Sequence, residues 1–419
     1  MKALPYKWKL IAVLFCIGSL NYADRSAISA VFPLLRRELG ASDVVLAATG
    51  SLFLWVYAIA SPLWGHLADQ VSRSRMIFWS LSAWSLITVA TAFAQTSHQL
   101  LLARAFLGVA ESAYLPAAIA LIADFHGSKS RGTALGIHLA GLNFGLIAGG
   151  AGAGYLADHF GWRAGFGALG STGLLLALIA RVVLRDQLYH DSPTTEARPA
   201  SSAFRDFLEL IRTPSYLVVL AEAMLVSIGT WIFFNWLPLY FRETFNMSLA
   251  MAGFSGTFVL QIAATAGSLL GGFTSDRISG RRAERRMLLM SVCYLAAAPF
   301  LLAFRAGPTV SVLSLCLLAY SLIRSLGASN EGPMLCDMLR PQLRSSSIAL
   351  LNTANCIAGG SGVLVTGFLK SSFGLAGIFS CVSIILVVAA TISFVGYVFF
   401  IRKDLARSSA QPVTEAHAV

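Results

Sequence analysis

The chain has 419 residues, 56% hydrophobic and only 12% charged, with a mean hydropathy of +0.71. Soluble domains carry about 25% charged residues, so a soluble globular protein is excluded. Apolar runs of about 20 residues read as membrane-spanning helices; β-barrel spans are shorter and alternate. The net charge of +11 is topological and is no signature of nucleic-acid binding. With twelve spans and a cytoplasmic N-terminus, 22 of the 31 Lys and Arg residues fall in cytoplasmic segments and 6 in outer loops, following the positive-inside rule.

In chain order the runs predict spans at 10–32, 44–68, 76–94, 98–122, 132–157 and 163–183, then 215–240, 249–275, 286–304, 309–335, 345–369 and 374–401. The basic, then apolar N-terminus reads as an uncleaved first span. Residues 185–214 are polar, carry Pro193 and Pro199, and read as a linker. Within them Phe204 to Arg212 has helical spacing and is expected to lie along the membrane surface. The polar tail after Ile401 is expected to be disordered. The organisation is therefore all-α and polytopic: a six-helix half at 1–184, a cytoplasmic linker at 185–214, a second six-helix half at 215–401 and a cytoplasmic tail at 402–419.

The two halves repeat. Gly65-x3-Asp69-x3-Arg73 follows the second span, and Gly272-x3-Asp276, with Arg281 and Arg282 after it, follows the eighth at an offset of 207. Asp124-x6-Arg131 and Asp337-x6-Arg344 follow the fourth and tenth at an offset of 213. Two related six-span halves are a transporter architecture. Asp69, Arg73, Asp124, Arg131, Asp276, Arg281, Asp337 and Arg344 lie at the cytoplasmic ends of spans and are assigned to gating.

Charges inside spans are costly, by about 2.5–3.5 kcal/mol at the helix centre on insertion scales, and mark function. Asn21-Tyr22-Ala23-Asp24-Arg25 lies in the first span. Helix neighbours point about 100° apart, so Arg25 looks into the cavity while Asp24 turns to a neighbouring helix or the cavity edge. Arg25 needs a partner, and the chain offers Glu111, which shares one face of the fourth span with Arg104 and Gly108. Arg25 keeps its charge, whereas Glu111 can be neutralised. Two readings stay open: a proton switch, or a fixed pair that locks two helices.

At offset 213 Arg324 matches Glu111. It either holds a substrate carboxylate in a bidentate fork or pairs with Glu331 or Glu222. Tyr22, Tyr57, His138, Asn143, Asn235, Gln261, Asn330, Asn352 and Asn355 are polar candidates for the cavity or for interhelical hydrogen bonds. His138 either titrates near neutrality or is a satisfied core histidine. The glycines of the fifth span, Gly136 to Gly154, let helices approach closely. The six cysteines are scattered, without metal or disulfide spacing. No HExxH, GxSxG or Walker A pattern is present, so neither an enzyme nor a cofactor is expected.

Gly65-His-Leu-Ala-Asp69-Gln-Val-Ser-Arg73-Ser-Arg75 resembles the signature loop of the major facilitator superfamily, and Arg104-x3-Gly108 resembles its fourth-span motif. The resemblance covers residues 8 to 401. Asn21-Tyr-Ala-Asp-Arg25 and Gly108-Val-Ala-Glu111 resemble the anion:cation symporter family, which takes up sugar acids and other organic anions with protons, and the spinster-like group, some of which move lysolipids or sphingolipids. Asn235-Trp236-Leu237-Pro238-x-Tyr240 resembles the seventh-span motif of the symporters. The loop from Asp124 to Arg131 departs from their usual Trp-Phe-Pro followed by Glu-Arg. Exporting antiporters often carry a proline in the glycine run, and none stands here.

The resemblance implies a proton-coupled symporter of a small organic anion. The Lys and Arg distribution puts both termini in the cytoplasm, the compact loops and the lack of a Ser/Arg-rich leader point to a bacterial inner membrane, and a monomer is expected. Arg25, Glu111 and Asp24 would couple the proton. Arg25, Tyr22, Arg324, Asn235, His138, Asn143, Tyr57, Gln261, Asn352 and Asn355 would contact substrate. The alternatives are a spinster-like lipid carrier and a drug/proton exporter.

Overall fold

The computed structural model describes residues 5–68, 71–186, 200–279 and 282–410. Every regular element among them is helical. The first half contains α1 (Tyr6–Ala30), α2 (Phe32–Leu39), α3 (Asp43–Ala68), α4 (Arg73–Thr91), α5 (Ser97–Ser112), α6 (Tyr114–Phe125), α7 (Ser128–Phe160) and α8 (Trp162–Val183). After α9 (Ala200–Ile211) the second half runs through α10 (Pro214–Phe245), α11 (Leu249–Ser279), α12 (Arg285–Ala297), α13 (Val310–Ala328), α14 (Glu331–Met338) and α15 (Pro341–Phe399) to α16 (Ile401–Ala410).

Among the described residues nine helical stretches are long and apolar enough to cross a membrane. One of them, 58 residues long, turns at Gly374, whose φ of 63° suits only glycine, and so supplies two spans. Helices α1 and α4, 25 and 19 residues long, fill the two remaining places.

Prolines set several breaks. Pro116 has no N–H to donate to the Ser112 carbonyl, and the helix breaks at Ala113 between α5 and α6, just after Glu111. Pro333 acts likewise on Ser329 between α13 and α14, just before Glu331.

Packing divides the chain into two compact units. The first comprises Met1–Ser192, Ile228–Gln261 and Cys356–Ile378. Its core is a cluster of buried residues that includes Leu10, Leu14, Phe53, Tyr57, Trp84, Tyr114 and Cys356. A side chain at Gly145 would put a Cβ 2.0 Å from the Ser19 carbonyl oxygen, and one at Gly149 would lie 2.3 Å from Ala23 Cα. These glycines let α7 lie directly on α1. Gly108 does the same for α5 on α3, its missing Cβ 2.8 Å from the Phe53 carbonyl oxygen.

The second unit comprises Pro193–Ser227, Ile262–Asn355 and Phe379–Val419, around a core that includes Tyr216, Val219, Met287, Met334 and Leu335. Here one expectation gains detail and one changes. The stretch from Phe204 is helical through Ile211, and α9 is docked on protein along one side: Leu210 is buried, Arg340 pairs with Glu209, and Ser346 donates to Asp206 at 3.3 Å. The tail after Ile401 is not disordered through residue 410. Ile401 is fully buried, and Asp404 accepts the Ser215 backbone N–H at 3.0 Å, capping α10. One buried apolar contact and one satisfied helix end give the segment reason to order.

Candidate functional site

The site grows from α1. Arg25 Nε donates to Glu111 Oε2 at 2.8 Å, with the arginine side chain 6% and the glutamate 0% exposed. Arg25 Nη2 donates to Asn21 Oδ1, one turn back, at 3.2 Å. The guanidinium is boxed by aromatic rings: Tyr22 at 4.5 Å, Tyr57 at 4.7 Å and Phe53 at 5.0 Å to the ring centres. A desolvated cation over such a face gains about 2 kcal/mol. Asp24 turns away to α4, accepting from Thr88 Oγ1 at 3.2 Å.

Arg104, placed by the sequence on the Glu111 face but given no role there, completes the charges. Arg104 is 2% exposed, donates from Nε to the Thr49 carbonyl at 3.2 Å, and stacks at 4.9 Å on the same Phe53 ring. The signal was present, since an arginine inside a span is as costly as Arg25. Arg25, Arg104, Asp24 and Glu111 together balance to zero when all are ionised. Neutralising one carboxyl leaves one positive charge in the cluster.

The other candidates divide by position. Asn235 belongs to the same unit; its Nδ2 donates to the Trp231 carbonyl at 3.0 Å and its side chain lies against Gly50. His138 is fully buried against Gly18, edge-on to Tyr114 at 5.8 Å. Asn143 and Gln261 are half-buried in the first unit. Arg324, Asn352 and Asn355 belong to the second. There Arg324 Nη2 donates to Ser325 Oγ at 2.9 Å, Asn352 is exposed, and the Asn355 carbonyl accepts from Ser227 Oγ at 2.8 Å.

The family model of the Major Facilitator Superfamily matches residues 14–329. The chain belongs to this superfamily. Its members are transporters and not enzymes. An "MFS-type efflux pump" of Mycolicibacterium smegmatis is 27% identical, the match covering 87% of this chain and 85% of that protein. A "Probable L-galactonate transporter" of Escherichia coli is 24% identical over 94% and 89%. A bacterial homolog of the human lysosomal transporter Spinster, in an inward-facing, unoccupied conformation, superposes with a TM-score of 0.78 at 22% identity, covering 96% of this chain and 99% of that one. That likeness shows the major facilitator fold.

The superfamily's internal repeat is visible at the helix ends. Arg73 pairs with Asp124. Arg286 Nε pairs with Asp337 at 3.0 Å, and its Nη2 with Asp276 at 3.2 Å. Arg73 to Arg286 and Asp124 to Asp337 are both steps of 213, so Arg286 fills the place of Arg73. Asp69 and Arg281 lie outside the described residues. Arg131 donates to the carbonyls of His126 and Ala123, and Arg344 to those of Leu339 and Cys336. Both arginines therefore cap the preceding helix at the same sequence distances.

At the opposite end of the first unit is a charge network that the sequence did not single out. Arg36 Nη1 and Lys370 Nζ each lie 3.0 Å from Glu243 Oε1. Lys370 also lies 3.2 Å from Asp43 Oδ1, which Arg36 shares. Trp55 Nε1 on α3 donates to the Ile357 carbonyl on α15 at 3.1 Å. These contacts tie segments of both sequence halves together within one unit.

Proposed function

We propose that the chain is a proton-coupled symporter that carries a small organic anion, such as a sugar acid, inward by alternating access. The observation that carries this reading is the Arg25–Glu111 pair: a permanent cation and a neutralisable anion, 2.8 Å apart, buried in an aromatic box. The name of the Escherichia coli relative supports the substrate class.

With Glu111 ionised, the cluster is neutral and Arg25 is occupied. A proton on Glu111 leaves Arg25 free and the cluster one charge positive, which suits a monocarboxylate. Tyr22, Tyr57 and Asn235 would take the rest of the ligand, with Arg324, His138, Asn143, Gln261, Asn352 and Asn355 as further contacts. Losing the proton inside restores the pair and expels the anion. A ligand shifts a conformational equilibrium only through its differential affinity for the states, and here the proton supplies that difference.

In this scheme the halves at 1–184 and 215–401 are the moving bodies, in a bacterial inner membrane, acting as a monomer among lipids with both termini cytoplasmic. The Arg36–Asp43–Glu243–Lys370 network is then the outer gate. Arg73–Asp124 and Arg286–Asp337 belong to the inner gate, with Asp69, Arg131, Asp276, Arg281 and Arg344.

The test is Glu111→Gln in proteoliposomes. The expected result is loss of proton-driven accumulation with sugar-acid counterflow retained. Equal loss of both would sink the proton switch. Export is a second reading, favoured by the name of the mycobacterial relative. Substrate that leaves vesicles against its gradient when protons enter would decide for it.

A further inference from the structure

The second unit holds a buried charge cluster of which the proposed transport scheme uses only Arg324. Glu222 on α10 is 0% exposed, and neither of its carboxyl oxygens has a partner at standard hydrogen-bond geometry, although the Tyr294 hydroxyl is close by. Two titratable groups face it, each from a different helix: Tyr294 from α12 and Glu331 from α14. Tyr294 donates its hydroxyl to Glu331 Oε1 at 3.4 Å. Arg324 lies within electrostatic reach of Glu331 and Tyr294. Arg324 and Glu331 are half-buried, so Glu222 is the sealed end of the cluster.

We propose that Glu222 and Glu331, bridged by Tyr294 and countered by Arg324, form a second proton-holding site, built from residues other than Arg25 and Glu111. The argument is one of charge. The cluster holds two carboxyls and one guanidinium, which counters Glu331. A buried carboxylate with no counter-charge of its own is neutralised rather than left ionised. One proton balances the cluster, and it resides on Glu222, because Glu331 has both the phenol and the nearer cation. The two carboxyls interact, so gain of a second proton by Glu331 is coupled to the one on Glu222. One consequence rests on the symport reading: an anion that draws Arg324 away leaves the pair without a cation, and the pair then takes up a second proton.

The site itself is tested without transport, so its failure is distinct from failure of symport. Infrared difference spectra of the purified protein at neutral pH report the carbonyl stretch that a protonated carboxyl has and a carboxylate lacks. Glu222→Gln is expected to remove one such band, shifted in D₂O, that Glu111→Gln leaves in place. Tyr294→Phe is expected to move the band without loss of intensity, and Arg324→Gln to strengthen it. No band lost in Glu222→Gln overturns the proposal. Should that variant fail to fold, a band unmoved by Tyr294→Phe and unchanged by Arg324→Gln overturns it equally.

Discussion

Arg25 Nε and Glu111 Oε2 lie 2.8 Å apart across α1 and α5, with almost no exposed surface on either side chain. They meet because Gly108, one turn before Glu111, lets α5 lie against α3 at Phe53, and Gly145 and Gly149 let α7 press α1 from behind. A buried pair of this kind contributes little net stability over an apolar substitute, but removing one partner strands the other and costs about 3–5 kcal/mol. Glu111→Ala is therefore expected to lower the melting temperature sharply. The double variant Arg25→Met/Glu111→Leu is expected to recover most of the loss. A double variant as unstable as the single one would show that the pair is not the source.

The glycine stripe makes a positional prediction. A Cβ at Gly145 meets the Ser19 carbonyl at 2.0 Å, whereas one at Gly152 meets nothing within 4 Å. Gly145→Ala should cost about 1–3 kcal/mol, as overpacking does, and should reduce transport, because it displaces the helix that carries Arg25. Gly152→Ala should be neutral or gain up to about 1 kcal/mol of helix propensity. Equal melting temperatures for the two variants would contradict the α1–α7 contact.

The network of Arg36, Asp43, Glu243 and Lys370 is partly solvated; Lys370 is 10% and Arg36 40% exposed. Its pairs should couple by about 0.2–1 kcal/mol each and weaken in salt. A double-mutant cycle of Arg36→Gln and Glu243→Gln, followed by thermal denaturation at low and high ionic strength, measures this. Strict additivity at low salt would remove the network from the gate.

Outside the spans, Asp186 accepts from the Ser72 hydroxyl and from the backbone N–H and hydroxyl of Ser74, anchoring the chain after α8 to the start of α4. Partial burial pushes its carboxyl up, but the bonds from Ser72 and Ser74, with Arg75 nearby, outweigh it and hold the carboxyl below the usual range. A depressed folded-state value means stability that is present above the ordinary carboxylate range, about pH 4, and lost as pH falls through the lowered value. Asp186→Asn should flatten the acid limb of stability against pH. An unchanged limb would show that the contact does not hold in solution.

Some of this protein was legible in its residues one by one. Hydrophobicity is local, so the spans, the two-fold repeat and the superfamily followed from runs and loop motifs. The cost of a charge in a span is local too, which is why Arg25 and Glu111 stood out, and why Arg104 should have. The turn of the repeat at Arg286 was missed because an offset of 207 was read from the Gly272 loop, whereas the arginine follows the offset of 213 that its aspartate obeys.

The amino-acid sequence by itself determined a helical, membrane-spanning transporter with a costly Asp-Arg pair in its first span. Tertiary structure alone decided that Phe53 serves both Arg25 and Arg104, that Asp24 looks to Thr88, and that Asp404 orders the tail by capping α10. It also decided that Arg36, Asp43, Glu243 and Lys370, unremarkable singly and up to hundreds of residues apart, form one network. Burial preferences act on single residues and leave periodic traces. The pairing of charges depends on helix approach, which glycines and proline breaks set in three dimensions.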